Sequence, residues 1–146
     1  MTVRSAQAHW EGSLIEGEGE VEFLNSNLGS VQVDWRSRSA ETEGRTSPEE
    51  LIAAAHSACY SMALSHALAG NGTPPAAVDT RADVTFVAGQ GITGIVLTVR
   101  ASVPGLTADE FAKFAEDAKT GCPVSAALTG TTITLDNTLL TLPDRL

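Results

Sequence analysis

The stretch Thr46-Ser47-Pro48-Glu49-Glu50-Leu51-Ile52-Ala53-Ala54-Ala55-His56-Ser57-Ala58-Cys59-Tyr60-Ser61-Met62-Ala63-Leu64-Ser65 reads as the start and body of one long helix. Ser47 has the short hydroxyl that an N-cap needs. Pro48 suits the first helical position, where an N–H would have no partner, and Glu50 stands three residues after the cap, the spacing of a capping box. Nothing breaks the pattern until Gly70-Asn71-Gly72, with Pro74-Pro75 beyond as a stop. Small or apolar residues occupy nearly every side, which predicts a central helix over 48–69 that is buried all round and carries Cys59 inside.

On the N-terminal side, Ala6 to Glu11, Glu18-Val21-Phe23 and Val31-Val33-Trp35 alternate apolar and polar residues, and Gly12, Gly17 and Asn25-Ser26-Asn27 separate them. That pattern predicts an antiparallel β-meander. Residues 36–45 are polar and read as an exposed loop. On the other side, 78–87 and 92–103 alternate around Gly89-Gln90-Gly91 and predict a second hairpin. Thr107 with Glu110 makes another capping box, and Phe111, Phe114, Ala115 and Ala118 form one helical stripe that Gly121 ends. Cys122-Pro123 then reads as the N-cap and first residue of a short third helix, and 130–140 as a last strand. The order βββ-α-ββ-αα-β is α+β, in one domain over 1–146 with no linker or repeat.

A chain of 146 residues can bury roughly two thirds of its unfolded surface in a single core. Its formal net charge of -9 repels phosphate backbones and anionic lipid, so nucleic acid and membrane surfaces are not expected partners. No segment approaches the length of apolar chain that spans a bilayer, and the first ten residues hold no continuous apolar run, so a cytoplasmic protein is expected. In that reducing compartment a lone cysteine pair is more often catalytic, redox-cycling or inert than a permanent staple.

Cys59 and Cys122 are the only two cysteines, with sixty-two residues between them, so any partnership must come from the fold. A thiolate is the reactive form, and a thiol needs a cation, a helix N-terminus or a hydrogen-bond donor to ionise near neutrality. Cys122 has such a device at the start of its short helix, whereas Cys59 sits about three turns inside one. Local physics therefore nominates Cys122 and leaves Cys59 as an inert core thiol. His56 and His66 share a helical face with Cys59 and, with Cys122, make a conceivable zinc site, although core packing explains the histidines more simply. Tyr60, Met62, Leu64, Trp35 and Phe86 read as core.

The segments Thr46 to Cys59, Gly121-Cys122-Pro123-Val124-Ser125 and Ile133-Thr134-Leu135-Asp136 together resemble the OsmC/Ohr thiol-peroxidase family, over essentially the whole chain. Ala8-His9-Trp10-Glu11-Gly12, the histidine in the cysteine helix, and Val124 where the organic hydroperoxide resistance branch usually carries an aromatic resemble the osmotically inducible branch.

The resemblance implies an OsmC-like fold in an intertwined homodimer, with active sites at the subunit interface. It reverses the local assignment: Cys59 becomes the peroxidatic cysteine and Cys122 the resolving one. The family's arginine falls in Trp35-Arg36-Ser37-Arg38, on Arg38 if Trp35 begins an aromatic-x-x-Arg pattern, with Arg36 as the alternative. The glutamate that comes after the helix-start proline is Glu49, holding the guanidinium in its fork.

The implied activity is a thiol-dependent reduction of organic hydroperoxides, with hydrogen peroxide as an open second substrate. It runs through a Cys59 sulfenic acid and a Cys59–Cys122 disulfide, in defence against oxidative and osmotic stress, without metal or cofactor. A dithiol such as a lipoyl-bearing protein is the implied reductant. The competing reading is a non-catalytic member of the fold that holds a small ligand or a metal. Glu49 and Cys59 are ten residues apart, roughly 15 Å along one helix axis. Glu49 therefore cannot touch Cys59 within that helix: either the arginine bridges most of the gap or the glutamate belongs to a second copy of the chain.

Overall fold

In the computed structural model, which describes residues 1–140, the chain runs through β1 (Ala6–Glu11), β2 (Glu18–Phe23), β3 (Ser30–Val33), α1 (Trp35–Ser39), α2 (Pro48–Gly70), β4 (Ala77–Val87), β5 (Gly91–Ser102), α3 (Ala108–Gly121), α4 (Pro123–Ala127) and β6 (Ile133–Leu140). The architecture is α+β, as expected. The last six residues of the expected domain, 141–146, lie outside the described residues. None of the described helices is long and apolar enough to cross a membrane.

Strands β1, β2 and β3 form one antiparallel sheet in that order. The register sets Ala6, Ala8 and Trp10 opposite Phe23, Val21 and Gly19, and sets Gly19 and Val21 opposite Val33 and Val31. Because side chains alternate along a strand, these residues share one apolar face, while Gln7, His9 and Glu11 meet Glu22, Glu20 and Glu18 on a charged one. Gly19 lets the indole of Trp10 lie against the backbone: a Cβ there would stand 2.6 Å from the ring's Cε3. The apolar face has little cover within the chain, and every residue of β1 is exposed.

The second sheet has the order β4-β5-β6. Strands β4 and β5 make the expected long hairpin, with a bulge between Thr85 and Phe86, and β6 lies parallel to β5 from Ile95↔Ile133 to Ser102↔Leu140. Parallel neighbours need a crossover, and α3 and α4 supply it. The core forms where Leu97, Val99 and Ala101 of β5 meet Tyr60, Leu64 and Leu68 of α2 and Phe111, Ala115 and Ala118 of α3, all buried. The Tyr60 hydroxyl donates to the Ala115 carbonyl at 2.7 Å, tying α2 to α3 inside that core.

Both N-caps form as their sequences predict: the Ser47 hydroxyl accepts from the Glu50 N–H and the Thr107 hydroxyl from the Glu110 N–H. The reciprocal half of the expected capping box, a Glu side chain on the cap N–H, does not form at the start of α2. The Glu50 carboxylate is engaged by the Thr46 hydroxyl.

Three expectations need correction. The loop expected over 36–45 begins as a helix, α1, and Trp35 opens that helix instead of closing β3. The last strand begins at Ile133, after a turn through Gly130. Helix α2 is buried within this chain on one face only. His56, Tyr60, Leu64 and Leu68 recur every four residues on the covered side, while Ala54, Ala55, Ala58 and Met62 stand exposed, Met62 by 71%. Its small-residue composition suits close packing on all sides, but one chain supplies a partner for only one of them.

Candidate active site

The fold brings the two cysteines together. Cys59 is carried by α2, and Cys122 is the single residue between α3 and α4, extended at φ -65° and ψ 124°. Its N–H donates to the Ala118 carbonyl at 2.9 Å and its carbonyl accepts from the Ala126 N–H at 3.0 Å, so it ends one helix and begins the next. The sulfurs are 3.0 Å apart. A disulfide bond is about 2.05 Å, and both residues are free thiols here, Cys59 half-buried and Cys122 fully buried.

Their electrostatics are opposed. Burial pushes the Cys59 thiol up, the hydrogen bond with Cys122 adds to that, and the Val124 backbone opposes it. At Cys122 burial is again the largest influence and also resists ionisation. It is outweighed by the hydrogen bond with Cys59 and by the Ser125 backbone and side chain and the Val124 backbone, so this thiol lies below its ordinary range. Within one chain Cys122 is thus the more readily ionised of the two, as local physics alone expects.

Beside the sulfurs lies a second buried contact between α2 and α4: His56 Nε2 is 2.7 Å from Ser125 Oγ. His56 is fully buried, burial lowers its pKa, and its Nδ1 has no partner. An unpartnered lone pair is easier to bury than an unpartnered N–H, so the proton belongs on Nε2, donating to Ser125 and freeing the serine hydroxyl to point its own hydrogen elsewhere. His66 lies ten residues further on, away from this contact, and among the described residues no three His, Cys, Asp or Glu side chains gather as a metal site.

Arg38 and Glu49 form a separate pair in the same chain. Arg38 Nε lies 3.0 Å and 3.2 Å from the two carboxylate oxygens of Glu49, and Nη2 lies 3.1 Å from Oε2. Helix α1 presents the arginine: the Asp34 carboxylate caps it by accepting from the Ser37 N–H at 2.8 Å, and Arg45 holds that carboxylate from the other side at 2.8 Å. The Arg38 guanidinium carbon sits 4.3 Å from the centroid of the Phe86 ring, and Phe86 meets Trp35 edge to face at 5.9 Å. Arg36 instead points outward to the exposed Glu43 at 3.4 Å.

Arg38 and Trp35, with Trp10, Val21, Val33 and Leu51, line an apolar cleft of about 350 Å³ between the first sheet and the start of α2. One chain thus holds two pairs, and Arg38 does not figure among the influences on either sulfur. Sequence reasoning takes Phe86 for core and gives Ser125 no role. Ser125's place one turn after Cys122 and His56's place one turn before Cys59 are the available signal.

The OsmC-like protein family matches residues 41–136. The chain is 44% identical over 140 residues to Peroxiredoxin OsmC of Escherichia coli (strain K12), covering 93% of this chain and 96% of that protein. Its fold is similar to that of an OsmC like protein from Mycoplasma pneumoniae, with TM-score 0.73, 15% identity, and 96% of this chain and 99% of that one covered. It is also similar to an organic hydroperoxide resistance protein OsmC from Legionella pneumophila, with TM-score 0.68, 23% identity and coverage of 97% and 98%. At those identities the two structures speak to the fold alone, and with the E. coli relative and the matched segment they give one answer: the chain belongs to the OsmC-like protein family.

Proposed function

We propose that this protein is a cysteine-based peroxidase of stress defence that reduces organic hydroperoxides, with Cys59 as nucleophile and Cys122 as resolving thiol. The observation that carries this reading is the 3.0 Å contact between a half-buried and a fully buried sulfur. The first is partly open to solvent, and the second, closed to it, lies against the first.

The Cys59 thiolate attacks one peroxide oxygen, the O–O bond breaks, and the leaving alkoxide takes a proton to become the alcohol while Cys59 becomes a sulfenic acid. The Cys122 thiolate then attacks the Cys59 sulfur, the S–O bond breaks, and hydroxide leaves as water once protonated. A dithiol returns two electrons and two protons through a mixed disulfide. A lipoyl-bearing protein in the cytoplasm suits that role.

The first step needs charge on Cys59, and one chain alone favours charge on Cys122. An arginine beside Cys59 would reverse the balance. Arg38 is held by Glu49 near the start of α2, and Glu49 stands ten residues before Cys59, so the arginine that meets Cys59 comes from a second copy, with Glu49 holding it in its fork. The open face of α2, the uncovered apolar face of the first sheet and the cleft beside Arg38 support a homodimer in which the alkyl group of the substrate lies along that cleft.

The test is consumption of cumene hydroperoxide with dihydrolipoamide, alongside light scattering. A dimer whose turnover disappears in Cys59→Ser is expected. Turnover that survives the substitution sinks the nucleophile assignment, no turnover in the parent leaves the non-catalytic ligand-binding reading, and a monomer sinks the two-chain site.

A further inference from the structure

We propose that the buried His56–Ser125 hydrogen bond is a clamp that positions Cys122 for its attack on Cys59. The inference rests on the peroxidase reading above and adds two positioning residues to its disulfide-forming step.

Helix α4 is too short to hold its own place: five residues make a marginal helix without tertiary contacts, and Ser125 is the residue that α4 buries. Its hydroxyl meets His56 Nε2 at 2.7 Å. His56 stands three residues before Cys59 on α2, and Ser125 stands three residues after Cys122 at the start of α4. One helical turn separates the members on each side, and residues three apart lie on one helix face. The histidine–serine contact and the sulfur–sulfur contact therefore bridge the same two elements side by side.

An apolar pair would fill the same space without burying a ring nitrogen that has no partner, and burying unpaired polar groups is costly. A hydrogen bond differs from such a pair in being directional. It sets how far along α2 the short helix sits, and so where the Cys122 sulfur points.

When Cys59 carries the sulfenic oxygen, the clamp holds the Cys122 thiolate against the Cys59 sulfur. The S–S bond forms as the S–O bond breaks, and the departing hydroxide takes a proton equivalent to the one Cys122 had released to solvent, leaving as water. The clamp has no part in the earlier attack of Cys59 on peroxide.

The experiment resolves the two steps separately in the full chain. The reduced parent and its Ser125→Ala, His56→Ala and His56→Gln variants receive one equivalent of cumene hydroperoxide. They are quenched at intervals and resolved by mass into Cys59 sulfenic acid and disulfide. Sulfenic acid should form within about twofold of the parent rate in all. Disulfide formation should slow roughly 10- to 100-fold in Ser125→Ala and His56→Ala, the scale of misplacing a reacting group. Gln, whose amide N–H can reach Ser125 from the same side, should recover most of the loss, which separates a directed hydrogen bond from simple filling of space. Should His56→Ala fail to fold, Ser125→Ala and His56→Gln still decide. Parent-like condensation in Ser125→Ala, or equal slowing of both steps, overturns the clamp while leaving the peroxidase intact. Absence of Cys59 sulfenic acid from the parent overturns both.

Discussion

Arg38 meets Glu49 through two nitrogens, Nε at 3.0 Å from Oε1 and Nη2 at 3.1 Å from Oε2, with the carboxylate buried and the guanidinium about a third exposed over the ring of Phe86. The geometry fixes the plane and direction of the guanidinium as well as its charge, which a lysine could not reproduce. Replacing Arg38 with Ala should lower kcat/KM for cumene hydroperoxide by on the order of 100-fold, the scale of losing an oriented donor at a reacting oxygen. Arg38→Lys should restore little of it, and Glu49→Gln should fall between parent and Arg38→Ala. Steady-state kinetics of the three variants checks this, and full activity in Arg38→Lys would show that charge alone suffices.

Cys122→Ser separates the two thiols. The variant should consume about one equivalent of peroxide per Cys59 and stop, because no neighbouring thiol remains to displace hydroxide from the sulfenic acid. Mass spectrometry after a dimedone-type trap should find the adduct on Cys59. Continued turnover with the same dithiol would mean that an external thiol resolves Cys59 directly and that the 3.0 Å contact is dispensable.

Asp34 gives a pH test of how Arg38 is presented. Hydrogen bonds from the Ser37 hydroxyl and backbone and then from Arg45 hold its carboxyl at about 2, below its ordinary 3.8. A carboxylate whose pKa is depressed on folding stabilises the fold fully above the unfolded value, and that contribution is lost as pH falls through the folded one. The cap on α1 should therefore hold above about pH 4 and weaken between there and pH 2. Trp35 opens α1 and Trp10 is the only other tryptophan, so in a Trp10→Phe background the fluorescence should report this transition. In Asp34→Asn the step should vanish and activity at neutral pH should fall.

The parts of this site that the sequence discloses are those that local rules govern. Ser47, Pro48 and Glu50 mark the start of α2 because an N-cap is a property of four adjacent residues. The hairpin of β4 and β5 shows itself in an alternation that the run Ile95-Val96-Leu97 interrupts. Helix α1 does not, since Trp35-Arg36-Ser37-Arg38-Ser39 has no apolar period and depends on Asp34, which Arg45 holds across the next loop. The parallel pairing of β6 with β5 joins residues about forty positions apart, and no local pattern encodes such a partner. The contact of Cys59 with Cys122 is of the same kind. It is legible only through resemblance, and local reasoning about helix termini puts the more ionisable thiol at Cys122, where one chain does place it. The all-round apolar character of α2 reads as burial, and it matches a helix that needs more partners than its own chain provides.

Stability should respond most sharply where α2, α3 and β5 meet. Leu64 is fully buried, so Leu64→Ala should cost about 2–5 kcal/mol by urea unfolding. Tyr60→Phe keeps the ring and removes the donor to the Ala115 carbonyl, and should cost about 1–2 kcal/mol. A Tyr60→Phe cost near that of Leu64→Ala would mean that the hydroxyl organises α3 beyond this one bond.

The N-terminal sheet offers a substitution whose effect comes from space alone. A Cβ on Gly19 would stand 2.6 Å from Trp10 Cε3, 2.9 Å from the His9 carbonyl oxygen and 3.2 Å from a methyl of Val33. The indole could swing aside, but the backbone oxygen belongs to the β1–β2 ladder and cannot move without opening it. Gly19→Ala should therefore cost about 1–3 kcal/mol and turn Trp10 out of the cleft that it lines with Val21, Leu51 and Arg38. With the alkyl group of the substrate in that cleft, as proposed, KM for a bulky hydroperoxide should rise more than KM for hydrogen peroxide. An equal change for both substrates would detach the Trp10 side of the cleft from substrate binding and leave it a purely structural surface.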